Sequence, residues 1–455
     1  MIPPVTLATR VHFVGIGGAG MSGIARVLLQ RGHLVSGSDL HAGRALDELS
    51  VLGARIEVGH DVTHLGDADV LVTSTAVPAD NPELVAARAK GLPVLRRAEM
   101  LAQLMADDQA VLIAGTHGKT TTTSMTVVAM QAAGGDPSFA IGGQLNESGT
   151  NAHAGTDGRF IAEADESDRS FLVYRPDLAV VTNLEHDHPD EFADEAAVQE
   201  AFIGFLERRA LGAPAIVCAD DPGTLALAKL VAEPVVTYGS DPRADVRVLS
   251  SGGEHRIRID GQDAASFRLG IPGHHNVLNA TAALAVCHLL GIDPEVAAKG
   301  LARFTGAARR FQRLGEIGGV TVVDDYAHHP TELRATLAGA RSLDAQRIVL
   351  VVQPHRYSRT QIFGAELGRA AAAADVVVVT DVYGSSEAPI PGVTGALVVD
   401  AANAAGATVI YQPHLGDVVT TLVELVRPGD LVVTTGAGDV TQVGPALLSR
   451  LGRGT

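Results

Sequence analysis

The pattern of apolar and polar positions divides the chain into three blocks, and the first begins with a strand, a glycine-rich turn and a helix. Residues 11–14 are apolar and lead into GIGGAG, after which apolar residues recur on one helical face. A second apolar run ends at Asp39, so this segment predicts a β-α-β unit. We expect further strands at 69–73 and 93–95 and a closing helix in AEMLAQLMA.

The second block begins with the apolar run AVLIAG, residues 110–115, which leads directly into THGKTTTTS and a helix. Two later strand candidates, RFIAEAD and LAVVTNLEHD, each end in acidic or imidazole side chains. A weaker β-prone patch covers about 235–270, and PGHHNVLNATAALAVCHLLG predicts a turn followed by a periodic helix.

The third block follows a boundary that we place near residues 312–317. Helical stretches rich in alanine and leucine separate most of its strand candidates, which lie at 319–324, 347–352, 376–380, 407–411 and 430–435. Strands that alternate with helices favour parallel sheets, and we expect them in all three blocks. The chain is therefore predicted to be an α/β protein.

Length and composition suit this prediction. The chain has 455 residues, of which 46% are hydrophobic, as in a globular protein of about three domains. Its net charge of −17 argues against nucleic-acid binding, which needs a basic surface. It also means that anionic substrates require locally concentrated basic residues.

The two cysteines and the lengths of the apolar runs predict a cytoplasmic protein that does not enter membranes. Cys218 and Cys287 lie in apolar stretches and are expected to be buried free thiols in a reducing compartment. No apolar run reaches the ~18 residues of a membrane helix, and MIPPVTLATR lacks the apolar core of a signal peptide.

The loop AGTHGKTTTTS resembles a phosphate-binding loop of unusual build. The usual pattern G-x-x-x-x-G-K-[ST] would place a glycine at position 113, but Ile113 stands there and the glycine is Gly115. Glycines that expose backbone N–H groups, Lys119 for the phosphates and Thr120 for Mg²⁺ nevertheless come directly after a strand. The alternative is a surface loop rich in glycine and threonine.

GIGGAG, with Asp39 at the end of the next strand, matches a dinucleotide fingerprint. Because any diphosphate can bind at a helix N-terminus, the motif predicts a pyrophosphate ligand without identifying NAD. A glycine turn needed only for close packing is the alternative.

Acidic clusters at two consecutive strand ends suggest a magnesium site. Glu163, Asp165, Glu166 and Asp168 follow one strand, and Glu185, His186, Asp187 and His188 follow the next. Mg²⁺ prefers oxygen ligands and needs only one or two carboxylates beside a nucleotide. Solvated acidic loops are the alternative.

Basic and amide residues cluster in the second half of the chain. Asn276 and Asn279 can hydrogen-bond to a base, whereas arginines of AARRFQR form a local cationic patch. Arg356 and Arg359 would face the same way on a helix and could clamp an anion. Solvated faces are the alternative for these arginines.

Taken together and in this order, AGTHGKTTTTS, EADESD, TNLEHDH, HHNVLNA, RRFQ, DDYAHHPTE, PHRYSRT and EAPIPG resemble the Mur ligases. The resemblance extends from about residue 11 to about residue 440, and VGIGGAGMSGIA is similar to the alanine-adding branch. The family's phosphate loop has the form G-T-x-G-K-T, which accounts for the missing first glycine.

The resemblance implies three domains and an ATP-dependent reaction. A Rossmann-like domain at 1–107 would bind the UDP sugar, a central P-loop-type ATPase domain at 108–314 would bind ATP, and a Rossmann-like domain at 315–455 would close the site and bind the amino acid. The lactyl carboxylate of UDP-N-acetylmuramate would become an acyl phosphate, which the amine of L-alanine would attack. ATP is the implied co-substrate and Mg²⁺ the implied metal, and we expect a monomer or weak homodimer.

The resemblance also assigns roles to individual residues. The implied catalytic residues are Lys119, Glu163, His188, His328 and Arg359. The implied metal ligands are Thr120, Glu163 and His188, with Glu166 and Asp168 as supporters. ATP would be held by Gly115, Thr116, His117, Gly118, Lys119, Thr120, Thr121, His275, Asn276, Asn279, Arg310 and Asp325. Substrate would be held by Gly17, Gly18, Asp39, Ser74, His328, His355, Arg356 and Arg359.

One departure and three competing interpretations complete the prediction. No lysine lies between His188 and Lys229, where many Mur ligases carry a carbamylated lysine, and the alanine-adding branch is similar in this respect. The alternatives are an NAD-dependent oxidoreductase, a non-catalytic ATP-binding regulator, and a recycling ligase that attaches a tripeptide to the same sugar. The sequence does not decide between alanine, serine and glycine.

Overall fold

A computed structural model of the protein describes residues 9–385 and 387–453. Most of MIPPVTLATR, in which we expect no signal peptide, lies outside these residues. No helix in the described ranges is both long and apolar enough to cross a membrane. The described residues form two compact units. The first extends up to Glu185 and includes Ala196–Arg268 and Leu278–Phe304, and the second takes His186–Glu195, Leu269–Val277 and the chain from Thr305 onward.

The first unit begins with a five-stranded sheet. Its elements are β1 (Arg10–Val14), α1 (Ala19–Gln30), β2 (Leu34–Asp39), α2 (Arg44–Val51), β3 (Arg55–Val58), β4 (Val70–Thr73), α3 (Pro82–Ala89), β5 (Val94–Arg96) and α4 (Arg97–Met105). The strand order is β3-β2-β1-β4-β5, with all neighbours parallel. Because β1 lies between β2 and β4, GIGGAG leaves the sheet where open α/β sheets bind ligands.

A ten-stranded sheet completes the first unit. Its elements are β6 (Gln109–Ala114), α5 (Lys119–Ala132), β7 (Ser138–Ala140), β8 (Ala152–His153), β9 (Arg159–Glu163), β10 (Leu178–Val181), α6 (Glu195–Leu206), β11 (Ala215–Cys218), α7 (Pro222–Ala228), β12 (Val235–Gly239), β13 (Val246–Ser251), β14 (Glu254–Ile259), β15 (Gln262–Phe267), α8 (His274–Leu289) and α9 (Pro294–Leu301). The order is β15-β14-β13-β12-β11-β10-β6-β9-β7-β8. Since β6 lies between β9 and β10, the lysine loop and both acidic strand ends meet at one edge.

The second unit is built on a six-stranded sheet of order β16-β17-β21-β18-β19-β20. Its elements are β16 (Gln312–Ile317), β17 (Val320–Asp325), α10 (Pro330–Arg341), β18 (Arg347–Val352), α11 (Tyr357–Ala371), β19 (Val376–Val379), α12 (Ala396–Ala404), β20 (Val409–Tyr411), α13 (Leu415–Leu425), β21 (Asp430–Thr435) and α14 (Val443–Gly452). Alternate residues of the valine-rich strands β18 and β21 point into two separate apolar clusters, one on each face. This is the pattern of a parallel sheet covered by helices on both sides.

The predicted α/β class with mostly parallel sheets is confirmed, and a minority of the neighbouring strands pair antiparallel. β13-β14, β14-β15 and β16-β17 pair antiparallel, as does the short pair β7-β8. The first three pairs are joined by two-residue turns with positive φ at both positions, namely Gly252-Gly253, Asp260-Gly261 and Gly318-Gly319. Such turns match the twist of hairpins and allow no crossover helix, so the neighbouring strands must be antiparallel.

Two further features concern the strands at the edges of the sheets. Residues 312–317, where we expected a boundary, form β16 and pair with β17. β3 was not among the strand candidates, because RIEV is only partly buried at the sheet edge. The boundaries of the three domains stay a prediction.

Candidate functional site

The loop between β6 and α5 is shaped by two glycines with positive φ. Gly115 has φ +132°, and a Cβ there would lie 2.0 Å from the Oγ1 atom of Thr182. Gly118 has φ +84°, and its Cβ would lie 2.8 Å from the Oδ1 atom of Asn279. Only glycine fits either position. Ile113, which replaces the expected early glycine, is a fully buried residue of β6, so the loop begins after it.

Hydrogen bonds from the end of β10 fix the same loop. The Oδ1 atom of Asn183 accepts the backbone N–H of His117 at 2.8 Å, and Thr182 donates to the carbonyl of His117. The ring of His117 lies 2.5 Å from a carboxylate oxygen of Glu185, whose backbone N–H donates to the hydroxyl of Thr116. The loop is therefore rigid, and the amino terminus of α5 behind Gly118 has no side-chain cap in the described structure.

Lys119 is folded back onto its own loop and onto a buried carboxylate. Its Nζ donates to the carbonyl of Gly115 at 2.7 Å and to the two carboxylate oxygens of Glu166 at 2.9 and 2.8 Å. Burial alone would lower the pKa of Lys119, but the carboxylates of Glu166 and Asp165 outweigh it and hold the pKa above its usual value. Burial raises the pKa of Glu166 to about 7 against the attraction of Lys119.

Oxygen ligands suitable for a magnesium ion lie beside this lysine. Thr120 donates its hydroxyl to the Oε2 atom of Glu163 at 3.2 Å, and the other carboxylate oxygen of Glu163 accepts the N–H of Gly142 at 2.7 Å. Thr120 is at the start of α5 and Glu163 ends β9, so two neighbouring elements supply the pair. Thr121, the next predicted contact, is buried in the same helical turn.

The glycine turn after β1 is built differently. The carbonyl of Ser38 accepts the N–H groups of Gly15 and Ile16 at 2.8 and 3.0 Å. The Oδ2 atom of Asp39 accepts the N–H of Gly17 at 2.9 Å. Asp39 thus braces the turn itself. Within the described residues no side chain caps α1 at Gly18, which leaves that helix end open to an anion.

The Ser74 loop borders this turn. The carbonyl of Ser74 accepts the N–H of Val77 at 3.2 Å, which closes a tight bend after β4. A Cβ on Gly15 would lie 3.6 Å from a methyl carbon of Val77. The two sequence-distant segments that we predicted to serve the UDP group are therefore neighbours.

A cavity of about 260 Å³ lies between the glycine turn, α1, α2 and the loop at 142–144. Gly17, Ala19 and Ser22 line one wall, and Gly142, Gly143 and Gln144 line the other. Asn151 ties the walls together by donating its side-chain amide to the carbonyl of Ala19 at 2.7 Å. Gly142 also donates its N–H to Glu163, so one wall of the cavity contacts a candidate magnesium ligand.

In the second unit, the arginines of PHRYSRT contact carboxylates. Arg359 is buried, with its Nε 3.0 Å from the Oδ1 atom of Asp187 and its NH2 3.3 Å from the Nδ1 atom of His188. Arg356 donates to Asp190 at 2.6 Å. Burial opposes ionisation of Asp187, but Arg359 and nearby histidines hold its pKa far below the usual range. Both guanidinium groups face the same segment, as the three-residue spacing predicts.

Two predicted substrate residues of the second unit are neutral imidazoles. His328 packs edge-on against His355, with 5.9 Å between ring centroids, and His355 stacks on Tyr383. Burial lowers the pKa of His328 to about 3 and that of His355 to about 4. The Nδ1 atom of His355 has no hydrogen-bond partner among the described residues.

The predicted adenine contacts divide between the two units. In the first unit, Thr122 donates to the Oδ1 atom of Asn279 at 3.1 Å, beside the lysine loop. In the second, Asn276 donates to the carbonyl of Pro272 at 2.6 Å. Burial lowers the pKa of its neighbour His275 to about 4.

Arg310 and Asp325, the other predicted nucleotide contacts, lie in the second unit. The guanidinium of Arg310 lies over the ring of Tyr326, with 5.0 Å to the ring centroid. Asp325 accepts the backbone N–H groups of Phe311 and Ala327 at 2.7 and 2.8 Å. Asp325 therefore braces the end of β17, and burial raises its pKa.

Sequence reasoning gave too little weight to several supporting residues. Glu166, treated only as a supporter, is the direct partner of Lys119. Asn183 was not singled out, although its position just after an apolar strand was a usable signal. The wall formed by Gly142 and Gly143 left no periodic signal, because it is a loop between short strands.

Comparisons with known proteins place the whole chain among related proteins. Three family models match, described as the Mur ligase family, catalytic domain, over residues 10–109, the Mur ligase middle domain over 113–287, and the Mur ligase, glutamate ligase domain, over 309–438. The UDP-N-acetylmuramate–L-alanine ligase of Acidothermus cellulolyticus is 50% identical and covers 99% of this chain and 96% of its own. The protein of the same name from Kineococcus radiotolerans is 52% identical, covering 97% and 96%.

Solved structures show the same architecture. The UDP-N-acetylmuramate–alanine ligase of Thermotoga maritima matches with a TM-score of 0.83 and 28% identity, covering 98% of this chain and all (100%) of its own. A murein peptide ligase from Psychrobacter arcticus matches with a TM-score of 0.74 and 26% identity, covering 98% and 99%.

Proposed function

The chain belongs to the Mur ligase family, and we propose on that premise that it joins L-alanine to the lactyl carboxylate of UDP-N-acetylmuramate, using ATP, in peptidoglycan precursor synthesis. The observation that carries the proposal is the lysine loop, whose Lys119 contacts a buried carboxylate, in the same unit as a cavity lined by the start of α1. Relatives about half identical over nearly the whole chain bear the name of this reaction.

The reaction proceeds in two balanced steps. A lactyl carboxylate oxygen attacks the γ-phosphorus of ATP, and the bond to ADP breaks. The amine of alanine then attacks the carbonyl carbon of the acyl phosphate, loses a proton and expels phosphate. Such chemistry depends on holding anions together and stabilising charge, so positioning residues dominate.

Lys119 supplies the central cation. Glu166 pairs with Lys119 and raises its pKa, so the lysine stays charged although it is buried. We infer that the triphosphate replaces Glu166 as the ion-pair partner of this lysine and lies against the first N–H groups of α5. Asn279 and Thr121, beside the loop, support the nucleotide.

We propose that the UDP sugar binds in the cavity beside the glycine turn. Its diphosphate would lie at the open end of α1, beside Gly17 and Gly18, with Asp39 and the Ser74 loop serving the nucleoside. The lactyl end would then reach Gly142 and Glu163, next to Thr120.

The residues around Thr120 suit a magnesium ion. Thr120, Glu163 and Glu166 offer hydroxyl and carboxylate oxygens, which are the donors that Mg²⁺ prefers. When bound, the ion would offset the negative charge of the triphosphate and the attacking carboxylate. His188 is the third predicted ligand. Its Nδ1 atom accepts a hydrogen bond from Arg359, so when the ring is neutral its proton is on Nε2.

We assign amino-acid and substrate recognition to His328, His355, Arg356 and Arg359. Imidazoles with pKa values of about 3 and about 4 are poor bases near neutrality, so they suit hydrogen bonding rather than proton abstraction. Arg310 and Asp325 are proposed to contact the nucleotide. We place the enzyme in the cytoplasm, where ATP is available, and propose a monomer or weak homodimer.

Phosphate release tests the proposal. ATP, Mg²⁺ and UDP-N-acetylmuramate are supplied with L-alanine, L-serine, glycine or a tripeptide. We expect release that requires the sugar nucleotide and is fastest with L-alanine. Faster release with the tripeptide would identify the recycling ligase. No release with any of them, together with NADH binding, would favour the oxidoreductase alternative.

A further inference from the structure

A buried carboxylate, Glu83, lies beneath the glycine turn at the start of α3. It is 0% exposed and accepts hydrogen bonds from three residues of different segments. The Nε2 atom of His12 is 2.6 Å away, the hydroxyl of Ser38 2.8 Å and the Nδ1 atom of His60 2.9 Å. His64 lies just outside this shell at 3.7 Å. One carboxylate thus joins β1, the end of β2, the loop after β3 and α3.

Hydrogen bonds favour the ionised form of Glu83. Burial opposes its charge, but hydrogen bonds from His12, Ser38 and His60 outweigh the burial and hold the pKa of Glu83 below its usual value. The other ring nitrogen of His12 lies 2.9 Å from the hydroxyl of Ser36, so the buried ring is bonded on both sides. A network satisfied in this way is rigid.

Glu83 touches both flanks of Asp39. Ser38 comes directly before Asp39, and its carbonyl accepts the N–H groups of Gly15 and Ile16. On the other side, the carbonyl of Asp39 accepts the N–H of Gly59 at 2.7 Å, and the next residue is His60. Movement of Ser38 or His60 would therefore shift Asp39 and the turn that it braces.

We propose that Glu83 is a positioning residue for the UDP group, which holds Ser38 and His60 so that Asp39 and the glycine turn keep the shape that binds the nucleoside diphosphate. The inference rests on the proposed function for the identity of the ligand. Glu83 is buried and acts on that ligand only through Asp39 and the turn.

Three variants test this role. Glu83→Ala removes the acceptor of all three donors, whereas Glu83→Gln keeps the shape and one acceptor oxygen. Leu84→Ala is the matched control, since Leu84 is the next residue of α3 and packs into an apolar cluster with Leu65 and Leu71. It weakens the same helix without touching Ser38 or His60.

The measurements are the Kd for UDP by calorimetry, the KM values for UDP-N-acetylmuramate and ATP, and the midpoint of thermal unfolding. Because displacement of a binding group by about 1 Å can cost up to ~100-fold, we expect Glu83→Ala to raise the Kd for UDP and the KM for the sugar nucleotide about 10-fold or more. The KM for ATP should change less than about 2-fold, and Glu83→Gln should restore most of the affinity. Leu84→Ala should lower only the unfolding midpoint.

The inference is overturned if Glu83→Ala leaves both UDP values unchanged, or if Leu84→Ala raises them equally. Should Glu83→Ala fail to fold, the same measurements on Ser38→Ala test the role, because this variant removes the hydroxyl that donates to Glu83. Failure of the proposed function looks different, since the unaltered enzyme itself would then neither bind UDP nor release phosphate.

Discussion

The first unit contains two glycine loops, each of which follows a strand with parallel neighbours on both sides, yet the loops carry different side chains. The loop after β6 carries Lys119, and Glu166 neutralises that cation directly. The turn after β1 has no lysine, and its buried carboxylate, Glu83, contacts the strand end behind it. A helix N-terminus suffices to bind a diphosphate, whereas phosphoryl transfer also needs cations that stabilise the charge on the transferred group. We therefore propose that the turn after β1 binds the diphosphate and that the loop after β6 serves phosphoryl transfer.

Removal of the lysine gives the largest effect in this comparison. Lys119→Ala should lower the rate of phosphate release on the order of 1000-fold, because it removes the buried cation that stabilises negative charge in the transition state. The Kd for UDP should stay unchanged. Assays stopped at fixed times measure the rate of phosphate release, and calorimetry measures the Kd for UDP. The control is Lys229→Ala, which changes an exposed lysine. Normal turnover by Lys119→Ala would remove the basis for the distinction.

The second-largest effect is expected from Gly115, the first glycine of the loop after β6. Gly115→Ala places a Cβ 2.0 Å from Thr182 at φ +132°, so we expect ATP to bind about 100-fold more weakly, a cost of ~3 kcal/mol. Calorimetric titration with ATP checks this. Gly134→Ala is the matched control, since Gly134 also has positive φ but open space around it. Equal losses in both variants would mean that backbone strain alone is responsible.

The corresponding change in the binding turn should be milder. A Cβ on Gly17 would lie 2.9 Å from the Oδ2 atom of Asp39, which is the movable end of a side chain. We expect Gly17→Ala to weaken UDP binding about 10-fold and to leave ATP binding unaffected. Gly43→Ala, in open space before α2, is the control. Weaker ATP binding by Gly17→Ala would contradict the separation of the two loops.

The residue at the missing glycine position should affect stability alone. Ile113 is fully buried, so Ile113→Ala should lower the free energy of unfolding by about 2–5 kcal/mol. Its Kd for ATP should equal that of the unaltered protein, because the loop begins at Gly115. Urea unfolding gives the free energy of unfolding, and calorimetry gives the Kd for ATP. A changed ATP affinity would show that position 113 belongs to the phosphate loop after all.

The strand order and the loops were predictable to different degrees. Apolar runs such as AVLIAG and IVLVVQ marked the buried parallel strands, because both faces of those strands are covered. The hairpins were missed although Gly252-Gly253 and Gly318-Gly319 signalled them, since the alternation of strands and helices dominated the interpretation.

Within the candidate site, chemistry-bearing residues were found more readily than their partners. Lys119 and Thr120 follow from a spacing rule, but the pairing of Lys119 with Glu166 depends on which strands become neighbours. Asp39 was expected to contact a ligand, and its bond to Gly17 appears only in three dimensions. Glu83 gave no signal in the sequence, because a lone glutamate in a helix usually lies in solvent.

The fate of the lactyl carboxylate oxygen tests the central claim most directly. UDP-N-acetylmuramate labelled with oxygen-18 in both carboxylate oxygens is converted with ATP and L-alanine, and the released phosphate is analysed by mass spectrometry. Activation of the carboxylate by the triphosphate at Lys119 predicts one labelled oxygen in each phosphate. Amide product accompanied by unlabelled phosphate would contradict the acyl phosphate route and the reacting role of the loop.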